Sequence, residues 1–172
     1  MMLRTKILLF RANAMAKKNK AARSTLKYQN AKRIGIIFSI EDKPKDEIIK
    51  GFTQQLETDG KQVSVLSYLP KKRENHEFSF NFFTKNDLSF WGYFTSPEVL
   101  SFAKENFDYL LYIDHEPNPI FEGVLAMSHA KCRIGKFQEN RDRFFEMMIT
   151  TQNGKDIKGL IDEMYRYIKV LG

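Results

Sequence analysis

The chain has 172 residues, of which 42% are hydrophobic and 28% charged, with a formal net charge of +7 at pH 7. These values exclude a disordered or membrane-spanning chain and fit one globular domain, able to bury roughly 70% of the surface its unfolded form exposes. The single cysteine, Cys132, excludes an intrachain disulfide and a cysteine-based zinc cluster. It also suits a reducing compartment, so a cytoplasmic location is expected.

The charge is unevenly placed. Residues 1–33 hold ten Lys or Arg and no acid, the first carboxylate being Glu41, whereas residues 34–172 hold 18 basic and 21 acidic side chains. A mildly acidic domain, 33–172, is therefore expected behind a cationic arm, 1–32. Such asymmetry points to an anionic partner, either a membrane surface or nucleic acid. The longest apolar run of the arm, Ile7-Leu8-Leu9-Phe10, is far short of the ~20 residues that span a bilayer. Leu3, Ile7, Phe10 and Ala14 recur at i, i+4, i+7 and i+11, which predicts an interfacial helix. Lys6, Arg11, Lys17 and Lys18 flank that stripe and, with Lys20 and Arg23, are the candidate contacts to the anionic surface. A solvated helix, a frayed tail and an organellar transit peptide are the alternatives. Met1, Met2 and Met15 are candidate starts, and a start at Met15 would delete the apolar stripe.

Next comes Ile34-Gly35-Ile36-Ile37-Phe38, an apolar run without alternation, as in a strand covered on both faces. Ile48, Ile49, Phe52 and Leu56 share a helical face, and Gly60 ends that helix. A second strand is predicted over 62–69, stopped by Pro70 and the charged run 71–75. Strand, helix and strand make a βαβ unit with a right-handed crossover. A third strand is predicted over 78–84, with Phe78, Phe80 and Phe82 on one side. Ser96-Pro97-Glu98 opens a helix. A fourth strand is expected over 107–113, Asn118-Pro119 starts another helix, and strands follow over 132–137 and 144–150. Ile157, Leu160, Ile161, Met164, Tyr165 and Ile168 mark the final helix with the clearest periodicity in the chain. The alternation predicts a doubly wound, mainly parallel α/β sheet of about six strands, Rossmann-like, in the order 3-2-1-4-5-6. Helices lie on both faces, and a basic helix precedes the sheet.

Two resemblances follow from these segments. FDYLLYID, then LAMSHA, then KCRIGKF, within residues 107–137, resembles the second half of the N-terminal Rossmann-like (GT-B) domain of lipopolysaccharide heptosyltransferases, through small residues ahead of Arg133-Ile134-Gly135. Those enzymes use a second domain to hold a sugar nucleotide, for which 172 residues leave no room. They also carry a glycine-rich loop after strand 1, whereas Ser39-Ile40-Glu41-Asp42-Lys43-Pro44 has no glycine. Over its whole length the chain is similar to a family of small uncharacterised bacterial proteins. The matching segments are 34–38, 56–63, 83–88, 107–111, 128–135 and 146–149. That family supplies a fold expectation and no activity.

A doubly wound sheet binds ligands beyond its C-terminal strand ends, where the order reverses. Glu41 and Asp42 are expected there beside Asp114, His115 and Glu116, a set able to hold Mg²⁺ or to tune a general base. Helix capping and a polar rim are the plainer account of the same residues. His129 with Lys131, Arg133 and Lys136 suggests an anion pocket, or else the solvated face of a strand. Cys132, between two basic neighbours, is expected in the core. Eight aromatics between Phe78 and Phe94 suit packing of an edge strand and its loop, with a partner surface as the alternative. No GxGxxG, P-loop, HExxH or nucleophile elbow occurs, and no cofactor is identified. The sequence leads to a non-enzymatic binding or scaffold protein with a cationic arm. The alternative is a minimal nucleotide- or sugar-nucleotide-binding protein, a glycosyltransferase-like remnant using the crevice between strands 1 and 4.

Overall fold

The computed structural model describes residues 2–70, 78–151 and 156–171. The charged run 71–75 lies outside the described residues. Six strands, β1 (Arg33–Ser39), β2 (Gln62–Leu69), β3 (Phe82–Thr84), β4 (Tyr109–Tyr112), β5 (Cys132–Lys136) and β6 (Met147–Ile149), form one sheet in the order β3-β2-β1-β4-β5-β6. Every pairing is parallel, so the expected doubly wound topology is present. Among the described residues five α-helices accompany it: α1 (Met2–Lys18), α2 (Lys43–Thr58), α3 (Pro97–Lys104), α4 (Pro119–Met127) and α5 (Ile157–Val170).

The run in β1 fills both faces of the sheet. Ile34, Ile36 and Phe38 join one core with Ile49, Phe52 and Leu56 of α2 and Leu160, Ile161, Met164 and Ile168 of α5. Ile37 points the other way, into a second core with Ala12 of α1, Val99 and Phe102 of α3, and Phe121 and Val124 of α4. Helices therefore cover both faces. Each fully buried Ile, Leu or Phe contributes about 1.5–3 kcal/mol. Asp42, Ser96, Asn118 and Asp156 accept backbone N–H hydrogen bonds at the starts of α2, α3, α4 and α5, as N-caps worth about 1 kcal/mol each. Gly60, at φ 79°, follows the end of α2 in the left-handed region.

The segment between α1 and β1 is stitched to the sheet. The Asn19 amide donates to Ala126 O and Ser128 O, and Ser24 N donates to Lys131 O. Tyr109 donates its hydroxyl to Leu26 O, and the Lys61 ammonium donates to Tyr28 O and Ala31 O.

Three local expectations change. The strand predicted over 78–84 pairs only at Phe82–Thr84. Upstream the strand pairing is absent, but Phe78 and Phe80 pack against the core shared by α2 and α5, Phe80 edge-to-face on Phe38 and Phe78 on Phe82, while Phe83 turns to the opposite core, so the three phenylalanines share one side as expected. The last strand is Met147–Ile149, because a 3₁₀ turn at Asp142–Phe144 buries Phe144 before it. On α1, the side turned to the core carries Leu8, Ala12, Met15 and Ala16, while Leu3 and Phe10 stand exposed.

Gly135 in β5 faces the Phe145 ring, and an added Cβ would lie 2.5 Å from it. The ring is buried and lies parallel to Tyr112, with ring centroids 6.1 Å apart. Gly135→Ala is expected to lower stability by about 1–3 kcal/mol through overpacking. In urea denaturation the midpoint should fall with an unchanged slope.

Candidate functional site

Where the strand order reverses, between β1 and β4, Asp114 follows the end of β4 and faces Ser39 at the end of β1. Its side chain is buried. It accepts from Ser39 N at 3.0 Å, from the Ser39 hydroxyl at 2.7 Å and from the Lys45 ammonium at 2.7 Å. Lys45, in the first turn of α2, is 3% exposed and also donates to Glu41 at 2.6 Å. Asp42 takes the Lys45 backbone N–H as the helix cap. The Asn118 amide donates to the Ser39 hydroxyl at 3.2 Å while its oxygen caps α4. Burial pushes the Asp114 carboxyl above its usual range, outweighing the opposing pull of Lys45 and Ser39.

Glu41, Asp42 and Asp114 thus meet around a lysine that sequence reasoning missed. Its only signal was the i, i+4 spacing from Glu41, which does not distinguish a buried lysine from a surface pair. His115 and Glu116 stand apart from this knot. His115 Nδ1 lies 3.5 Å from the Lys136 ammonium, and Nε2 is buried with no hydrogen-bond partner among the described residues. Glu116 is exposed, and its carbonyl accepts from the Tyr112 hydroxyl. Among the described residues no group of three or more His, Cys, Asp or Glu is placed to hold a metal ion. Beside the knot, a cavity of about 310 Å³ is lined by Leu8, Tyr68, Leu88, Asn118, Pro119 and Ile120, among others.

The basic residues around β5 do not act as one group: His129 is exposed and lies with Lys18, Lys20 and Lys104 on a separate cavity of about 450 Å³, and Lys136 lies near His115. Arg133 is buried and fixed by Glu146, its Nε 2.9 Å from one carboxylate oxygen and a terminal nitrogen 2.6 Å from the other. Lys131 pairs with Asp108 at 2.8 Å. Cys132 is in the core, its thiol pushed up to about 11 chiefly by burial, and is a poor nucleophile. Glu122 on α4 is buried with Arg141 as its ion-pair partner, and burial raises its carboxyl above the usual range.

The basic residues of the N-terminal region divide. Lys6, Lys17, Lys18 and Lys20 are exposed. Arg23 turns inward, donating to Ala130 O and lying 3.6 Å from Glu146. The Arg11 guanidinium lies 3.5 Å from the centre of the Tyr93 ring. Of the eight aromatics between 78 and 94, Phe83 and Phe94 are buried, whereas Phe90, Trp91 and Tyr93 are exposed, so edge packing accounts for only part of the group. Among the described residues no helix is long and apolar enough to cross a membrane.

The chain belongs to a family of unknown function, DUF6913, whose sequence profile matches residues 4–171. No curated protein and no solved structure matches it.

Removing Asp114 would leave a buried ammonium facing only the exposed Glu41. Asp114→Ala is expected to destabilise by about 3–5 kcal/mol. Lys45→Met combined with Asp114→Leu should cost much less than the sum of the single changes in chemical denaturation. Glu122 offers a pH test. Its folded carboxyl holds a proton more tightly than the unfolded chain does. Above the ordinary carboxylate value of about 4, stability therefore falls as pH rises through the folded value. Glu122→Gln lacks this contribution, so its destabilisation relative to the parent should be larger at pH 4 than at pH 8.

Proposed function

We propose that this protein is a non-enzymatic binding or scaffold module whose N-terminal helix rests on an anionic membrane surface, peripheral to the inner face of the cytoplasmic membrane. The observation that carries this reading is the outward side of α1. Leu3 and Phe10 are 69% and 76% exposed there, alongside the exposed Lys6 and Lys17, while the opposite side of the helix is fixed on α4. An apolar stripe edged by lysine suits the headgroup–acyl boundary of a bilayer. The acid-free stretch 1–33 adds a long-range attraction to anionic lipid. The helix is already folded and seated, so docking requires little further ordering.

A second reading rests on the cavity of about 310 Å³ beside the switch point, a place that takes nucleotides in doubly wound sheets. It would make the protein a nucleotide or sugar-nucleotide binder, in keeping with the heptosyltransferase-like segment. The saturated Asp114 argues against it, since a ligand would have to break the bonds to Ser39 and Lys45. Stabilisation by such a ligand in thermal-shift assays, with no vesicle binding, would favour this second reading.

The test of the first reading is co-sedimentation of the full chain with vesicles. Binding is expected for phosphatidylglycerol-containing vesicles and not for pure phosphatidylcholine. The variant Lys6→Gln/Lys17→Gln/Lys18→Gln alters only exposed side chains. It should lose about 1 kcal/mol per lysine, roughly a hundredfold in partitioning. Equal binding of parent and variant would overturn the reading. Affinity for duplex DNA that falls steeply with salt, without vesicle binding, would move the anionic partner to nucleic acid.

A further inference from the structure

The loop Ser89–Tyr93 touches the same helix. Ser89 N donates to Tyr93 O at 2.8 Å, Tyr93 N donates to the Ser89 hydroxyl at 3.0 Å, and Gly92 N donates to Ser89 O at 3.0 Å. The stem is anchored by an antiparallel bridge between Leu88 and Phe94, both buried. The tip is therefore closed by its own hydrogen bonds, yet it presents Phe90 at 67% exposure and Trp91 at 61%, packed edge-to-face at 5.3 Å. Gly92, at φ 76°, lies so close to α1 that an added Cβ would be 2.8 Å from Leu8. With Arg11 stacked on Tyr93, that contact fixes the loop against the helix, between Leu8 on the side turned to the core and Arg11 on its flank.

We infer that Phe90 and Trp91 form a wedge that enters the interfacial layer of an anionic phospholipid bilayer when α1 docks; this rests on the membrane reading above. Two large aromatics held in water by a preformed turn lose unfavourable hydration when they reach the acyl boundary. Trp and Tyr favour the headgroup level, where the ring is in an apolar layer and the N–H or O–H meets water. The cations of α1 supply the charge complementarity that selects anionic lipid over a neutral surface or an acid-poor protein. A nucleic acid would use the same cations but would not require Phe10 and Leu3, which offer nothing to a phosphate backbone.

Trp91 is the only tryptophan, so its emission reports on the tip directly. The full chain is titrated with phosphatidylglycerol/phosphatidylcholine vesicles, with pure phosphatidylcholine vesicles and with duplex DNA, and bromine-labelled lipid serves as a depth-sensitive quencher. The inference expects a blue shift and bromolipid quenching with the anionic vesicles only. It also expects Phe90→Ser to weaken partitioning roughly tenfold while the thermal midpoint stays put. Salt-sensitive vesicle binding with unmoved Trp91 emission and no effect of Phe90→Ser overturns the wedge and leaves the anionic-surface reading standing. Binding to neither vesicles nor DNA overturns both, and binding to DNA alone overturns the wedge together with the choice of lipid.

Discussion

A sheet whose strands all run parallel is apolar on both faces, and the rest of this molecule follows from the need to cover both. On one face the 16-residue α2 and the 14-residue α5 do so. On the other, α3 has eight residues and α4 nine, too little length to cover it alone. The 17-residue α1 packs along α4 and joins the same core, with Ala12 fully buried in it. The cationic N-terminal helix is thereby part of the core, and the side it turns outward is set by packing rather than by solvent.

The buried charges obey a second constraint, imposed at the strand ends. Backbone groups that leave the ladder must find partners. At the N-terminal edge, Asp108 accepts from the N–H groups of Lys32 and Arg33, and Lys61 donates to two carbonyls. Burial opposes ionisation of Asp108, but Lys131 and those two N–H groups outweigh it and hold the carboxyl below its usual range. At the C-terminal edge, Asp114 serves Ser39 in the same way, with Lys45 as its counter-charge. Buried pairs of this kind add little net stability over apolar packing, but losing one member is costly. The expected crevice carboxylate is thus already committed to joining two strands.

The order of the sheet was legible because unbroken apolar runs such as Ile34–Phe38 and a strongly periodic α5 have few other uses in a short chain. Asn118-Pro119 and Ser96-Pro97 announced two helix starts for stereochemical reasons that need no tertiary context. What stayed hidden depends on partners distant in sequence. Lys45 is buried only because Asp114, 69 residues away, reaches it. Arg133 alternates with Cys132 like a surface residue, yet a strand covered on both faces has no wet side, and Glu146 absorbs its charge. On α1 two stripes compete, one with Phe10 and Leu3, the other with Ala12 and Ala16. Hydropathy favours the first, but close helix–helix approach to α4 favours the smaller residues. That reversal places the larger apolar side chains in water.

Isolated exposed apolar residues are ordinary on any protein surface and carry no information. Here Leu3 and Phe10 lie on the outward side of one helix, and Phe90, Trp91 and Tyr93 on a loop fixed against that helix. A hydrogen-bonded turn holds those three aromatics out when collapse onto the surface would have hidden them. The switch point shows the opposite arrangement, with its acid, lysine, serine and asparagine mutually satisfied. Exposed apolar surface and exposed lysines favour association, whereas a closed hydrogen-bond network resists it. The outward chemistry of this protein therefore lies along α1 and its neighbouring loop rather than in the crevice that its topology would ordinarily reserve for a ligand.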